Sequence, residues 1–150
     1  MKNSLIILIL FLSLDTSACS ISISSNYEAL LLDPGYRLSR KPKLPEITVK
    51  AIDRGIKTDV CPPPIGSITF RVVNNKANIG AGYKFELHEG KLPLLGFPDE
   101  ALRSKFGDTI SFSWVEQVSD IDKPINAVVK ITAVLPNFEE STPVYVKIGH

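Results

Sequence analysis

The chain has 150 residues, with 17 Lys and Arg against 16 Asp and Glu, 2 Cys, 2 His, 11 Pro and 9 Gly. That length suits one domain of roughly 100–150 residues, and a formal net charge of +1 gives no field that argues for nucleic acid, whose binders present a basic face. A hydrophobic content of 44%, near the globular average of about 45–50%, excludes a chain that is disordered throughout.

The first twenty residues read MKNSLIILILFLSLDTSACS. Lys2 is a minimal basic start, Leu5–Leu14 is an apolar run, and Thr16-Ser17-Ala18 are small, which is the layout of a secretory signal peptide. The run is shorter than the roughly 20 residues that a membrane span needs. Lys, Arg, Asp, Pro or Gly interrupt every later apolar run. Residues 1–18 are therefore expected to be a signal peptide, and the processed protein to be exported without a transmembrane helix.

Ser17-Ala18-Cys19, directly after the apolar run, resembles the end of a bacterial lipobox, with Thr16 and Asp15 as departures from the usual pattern. The resemblance implies that cleavage leaves Cys19 as the new N-terminus and that its thiol carries a diacylglycerol, with a further fatty acyl chain such as palmitate. A triacylated residue meets the requirement that stable anchoring takes more than one chain. It implies a membrane partner through that lipid, and Ser20 is compatible with the outer membrane where the organism has two. Ordinary cleavage after Ala18 is the alternative. Cys19 would then be a free thiol or pair with Cys61 in an oxidising compartment, since one sulfur cannot hold both a lipid and a disulfide.

Residues 19–45 are Ser-rich at the start and Pro-punctuated at the end, without a sustained period. Asp33-Pro34-Gly35 is a turn signal, and the stretch reads as a flexible tether. Arg37, Arg40, Lys41 and Lys43 form a basic cluster in it. Contact with anionic head groups is one reading; a solvated linker is the simpler one.

From residue 46 to 150 the pattern has a period of two. The alternation predicts strands over Glu46–Ala51, Ser67–Val73, Tyr83–His88, Thr109–Gln117, Ala127–Leu135 and Val144–Ile148, most bounded by turn residues. Pro98–Lys105 alone suggests a helix, with Asp99 and Glu100 in its first turn. Six or seven short strands in about 105 residues imply an all-β antiparallel sandwich with one short helix. Its expected core is Ile68, Phe70, Phe85, Leu87, Phe112, Trp114, Val129, Ile131, Val144, Val146 and Ile148.

GKLPLLGFPDE, DTISFSW, INAVVKITAV and STPVYVKI resemble bacterial immunoglobulin-like and fibronectin type III-like domains. The likeness covers about residues 83–148, without the Asp-x-x-Gly-Asn turn at Pro136–Glu140. It implies the sandwich architecture, which hosts many functions.

Candidates for chemistry are sparse. Cys61 lies in a Pro-rich loop, and a catalytic thiol there would need His88 or the terminal His150 as its base. The Cys and His spacings match no zinc site. Asp120 and Asp122, with Asp53 or Asp59, could offer oxygen ligands to calcium, but solvated turn residues are the simpler account. Gly80-Ala81-Gly82 is too short for a phosphate cradle and suits a turn into a strand. Trp114 reads as a core anchor whose indole N–H needs a partner. No enzymatic activity, metal, cofactor or small-molecule substrate is expected.

Sandwich domains bind through loops at their ends. Leu94, Leu95, Phe97 and Phe106, in the long segment 90–108, are the candidate contacts for an envelope protein partner. The leading reading is thus a cell-envelope lipoprotein whose sandwich is a protein-binding or structural module. A soluble exported inhibitor or effector acting through its loops is the alternative. A carbohydrate-binding module is a third, which requires Trp114 or Tyr83 to be exposed.

Overall fold

The computed structural model describes residues 21, 23–37, 41–57, 61–73 and 78–149. The signal peptide and Cys19 lie outside the described residues. The strands are β1 (Tyr27–Ala29), β2 (Glu46–Asp53), β3 (Ile65–Val73), β4 (Gly82–Lys91), β5 (Leu102–Ser104), β6 (Thr109–Val115), β7 (Asn126–Val134) and β8 (Val144–Gly149). They form two antiparallel sheets, in the orders β1-β5-β4-β7-β8 and β2-β3-β6. The chain crosses between the sheets from β1 to β2, β3 to β4, β5 to β6 and β6 to β7, the Greek-key habit of immunoglobulin-like sandwiches. The expected architecture is therefore the observed one.

Alternation fills the space between the sheets. Ile68, Phe70, Ile110, Phe112, Phe85, Val129 and Ile131 are each no more than 2% exposed. The Phe85 ring lies 5.1 Å from Phe70 and 5.0 Å from Phe112, in tilted and edge-on contacts. These geometries suit the positive edge and negative face of the rings.

Two β-bulges explain departures from simple alternation. In β2 the register slips between Val49 and Ala51, so that Ile52 turns inward against the core while Ala51 is exposed. In β4 it slips between Leu87 and Glu89, and Leu87, expected in the core, is left 47% exposed. A bulge adds one unpaired residue and bends its strand, which a strict two-residue period cannot register. Val144 and Val146 are only partly buried because β8 is an edge strand.

Two further expectations are corrected. No helix forms over Pro98–Lys105. Instead Leu102–Ser104 is β5, paired with all of β1 and with Tyr83 of β4. An isolated two-turn helix is marginal, whereas the strand buries Leu102 to 2% exposure and satisfies its backbone across two neighbours. Val118–Asp120, after β6, forms a 3₁₀ turn.

The stretch expected as a flexible tether also contributes to the domain, since it contains β1. Asn26 hydrogen-bonds the edge of β6: its Nδ2 donates to Thr109 O at 3.2 Å, and its Oδ1 accepts from Ser111 N at 2.8 Å. Its side-chain amide thus occupies the place of a neighbouring strand's peptide. Tyr27 stacks on Phe112 at 5.2 Å, Leu30 is buried, and Asp33 N donates to Pro136 O at 2.8 Å.

The register defines two ends of the sandwich. The near end carries the end of β2, the starts of β3 and β7, and the ends of β4 and β6. The far end carries the starts of β2, β4 and β6 and the end of β7. At the near end Gly66 lies opposite Trp114, and a Cβ there would come within 2.3–2.5 Å of the indole. Gly66→Ala should therefore force the ring to move and cost about 1–3 kcal/mol, the usual range for overpacking. Urea denaturation followed by Trp114 fluorescence checks this; an unchanged midpoint and spectrum would contradict the packing described.

Candidate functional site

The near end holds the most developed constellation of polar groups. Even-numbered residues of β6 face inward, so that Ile110, Phe112 and Trp114 enter the core, and Glu116 continues the series just past the strand. Its carboxylate, 1% exposed, meets the Arg54 guanidinium, which is 7% exposed. Arg54 Nε donates to Glu116 Oε2 at 3.0 Å and Nη2 to Glu116 Oε1 at 2.9 Å, a bidentate pair. Trp114 Nε1 donates to Glu116 Oε2 at 2.7 Å, so the indole finds the partner it needs. Arg54 also donates to the carbonyls of Asp120 and Lys123. The hydrogen bond to Glu116 outweighs desolvation and holds Arg54 above the ordinary arginine value.

This network ties the end of β2, the end of β6 and the 118–123 turn together without an unpaired buried charge. Beside it runs a groove of about 470 Å³, lined by Ile23, Pro93–Leu95, Ser113–Gln117 and Asp120. Glu116 and Trp114 form part of its wall, but their polar atoms are already committed to one another. The groove therefore presents mainly apolar surface.

The four candidate contact residues do not form one surface. Phe97 lies 4.8 Å from Phe112 and 5.8 Å from Phe85, and Leu94 is likewise packed against the core; both close the sandwich. Leu95 is fully exposed at the near end, whereas Phe106, 77% exposed, lies in the turn before β6 at the far end. The far end also exposes Leu31, Leu32, Ile79 and Phe138. Leu32 and Phe138 flank a shallow groove of about 230 Å³ with Lys84, Glu100 and Glu140.

The other candidates are placed as follows. Cys61 is disulfide-bonded, which removes it as a nucleophile, and Cys19 and His150 lie outside the described residues. His88 is half exposed and stacks on Tyr145 at 4.7 Å. Asp120 is paired with Lys123 at 2.6 Å, and Asp122 with Lys57. Hydrogen bonds from Lys123 and then Ser119 hold the Asp120 carboxyl below the usual range. Among the described residues, no group of three or more His, Cys, Asp or Glu is arranged to hold a metal.

Trp114 and Tyr83 are 5% and 4% exposed, which contradicts the carbohydrate-stacking reading. Burial pushes the Tyr83 phenol up. Its hydroxyl has no protein partner among the described residues, and Tyr83 lines a cavity of about 100 Å³, room enough for water. Of the basic cluster, Arg40 is outside the described residues. Lys43 is at the far end, where its N–H donates to Asn78 Oδ1 at 2.9 Å.

Neither any protein family nor any curated protein matches the chain. Among solved structures it is similar to the PKD domain of an M14-like peptidase from Thermoplasmatales archaeon SCGC AB-540-F20. The identity is 16%, over 73% of this chain and 92% of that one, with a TM-score of 0.37. Strand order and burial, and not that likeness, define this chain as an all-β, immunoglobulin-like sandwich module.

The strongest test of the site is its buried ion pair. Removing one partner of such a pair leaves an uncompensated charge and costs about 3–5 kcal/mol, whereas replacing both by apolar groups is often nearly neutral. Glu116→Gln should lower unfolding stability by that amount, and Arg54→Met with Glu116→Leu should recover part of the loss, the remainder being the Trp114 indole N–H left without its acceptor. Equal urea midpoints for the parent and Glu116→Gln would contradict the described coupling.

Proposed function

We propose that the chain is an exported cell-envelope lipoprotein, held at a membrane by lipid on Cys19, whose sandwich is a protein-binding or structural module. The observation that carries this reading is the order of features along the N-terminus. An apolar run, Leu5–Leu14, leads to Ser17-Ala18-Cys19, and four residues later Ile23 already lines the groove beside β6. A lipid on Cys19 would thus hold a folded domain directly at the membrane, in place of a tethered one. Ser20 supports the outer membrane where there are two. The exposed apolar side chains of the end loops, Leu31, Leu32, Phe106 and Phe138, support an envelope protein as partner, since such patches mark interaction sites.

One observation favours the alternative of a soluble exported inhibitor or effector. Cys61 is in a disulfide, and the chain has 2 cysteines. An intramolecular disulfide at Cys61 would use the sulfur that the lipid requires.

Intact mass and N-terminal peptide analysis of the protein processed in a bacterial host separates the two. The lipoprotein reading predicts a Cys19 N-terminus carrying acyl mass. An unacylated N-terminus, with the mass lowered by the two hydrogens of a disulfide, would overturn it in favour of the soluble protein.

A further inference from the structure

We propose that the near end of the sandwich is a lipid-contacting face, so that the domain stands on the membrane with Leu95 and Ile56 in the interface. This inference rests on the reading that Cys19 carries the lipid. It adds which surface the bilayer covers, and it follows from where the chain enters the fold. Ile23 lines the groove with Trp114–Gln117, while Asn26 is bonded to Thr109 and Ser111 near the start of β6. Residues 23–26 therefore run along the edge of β6 from the near end towards the far end.

Three residues lie between Cys19 and Ile23, and the four Cα steps, fully extended, span at most about 14 Å. The sandwich is longer than that. β3 alone has nine residues, which at roughly 3.3 Å per residue is about 30 Å. A lipidated Cys19 can therefore reach the near-end surface around Ile23. The loop after Cys61 lies at the near end too, where Pro64 O accepts from Glu116 N at 2.8 Å.

The chemistry of that end fits lipid. Leu95 is fully exposed and Ile56 is 84% exposed, each from a loop that projects beyond the strands. Ile23, Val115 and Val118 add exposed apolar area. Two of the nearby lysines are paired in place, Lys57 with Asp122 and Lys123 with Asp120. Apolar side chains around the acyl chains add buried apolar area to the contact that the anchor makes. Lys43 sits at the opposite end, against Asn78, which removes it from contact with head groups. The apolar surface around Leu31, Leu32 and Phe138 is then directed away from the bilayer, towards a protein partner.

Depth-dependent quenching of introduced tryptophans tests this. Leu95→Trp, Ile56→Trp and, as the far-end control, Ile79→Trp are made in the full-length protein and purified after processing in a bacterial host. Each is bound to vesicles of phosphatidylethanolamine and phosphatidylglycerol with or without brominated acyl chains, and compared with the parent, whose Trp114 is buried. The proposal expects the added emission of Leu95→Trp and Ile56→Trp to be mostly lost on brominated vesicles, and that of Ile79→Trp to be kept. If the protein carries acyl mass and sediments with vesicles, yet the near-end tryptophans are unquenched or all three are quenched alike, the orientation is wrong and the anchor stands. If no acyl mass is found, the anchored reading fails and the proposal with it.

Discussion

The near end of this sandwich depends on one buried carboxylate. Glu116 continues the inward face of β6 just past its end, where an uncompensated charge would cost several kcal/mol. It is tolerated because three donors converge on it, two from Arg54 and one from Trp114. Satisfying Glu116 fixes the orientation of the indole, and the indole in turn requires the bare backbone of Gly66 opposite. Arg54 has further donors and uses them to hold the 118–123 turn against the end of β2. One polar requirement thus fixes three loops and shapes the groove at which the N-terminal segment enters.

That entry gives the molecule a direction. Asn26 ends its run along β6 by lending a side-chain amide to the open strand edge, after which the chain changes sheets to pair as β1 with β5. Unpaired strand edges invite association with other chains, so a partial cap there is useful whatever the domain binds. It also means that the domain begins close behind Cys19, and a force or anchor applied at the N-terminus acts on a folded edge. The two fates of Cys19, lipid or disulfide, both act at this one end of the fold. They differ in whether the near-end apolar side chains meet a bilayer or water.

Much of the architecture was legible in the sequence because its signal is local. All six alternating segments are strands, and Phe70, Phe85, Phe112 and Ile131 are buried as alternation requires. What was not legible depended on distant partners. The residues around Leu102 have a helical pattern in isolation, but Tyr27–Ala29, more than 70 positions earlier, supplies a strand partner. The bulges that turn Ile52 inward and interrupt β4 after Leu87 are set by cross-strand register. In the candidate site, Glu116 was detectable in principle, since it extends the inward series of Trp114 by two and an inward acid demands a cation. Nothing near it in sequence identifies Arg54 as that cation. Leu94, Leu95 and Phe97 look alike as apolar loop residues; only packing distinguishes the two that cover the core from the one left in solvent.

The central claim is that the segment around Asn26 belongs to the folded domain and fixes the end at which the N-terminus emerges. Amide hydrogen exchange of the processed protein tests it most directly, read at Leu30 N, which donates to Ala101 O, and at Ser111 N, which donates to Asn26 Oδ1. The account predicts that both are protected together with the core amides of β4 and β7. Exchange at both sites at the rate of an unstructured chain, with the core strands still protected, would return residues 20–45 to a flexible tether and contradict it.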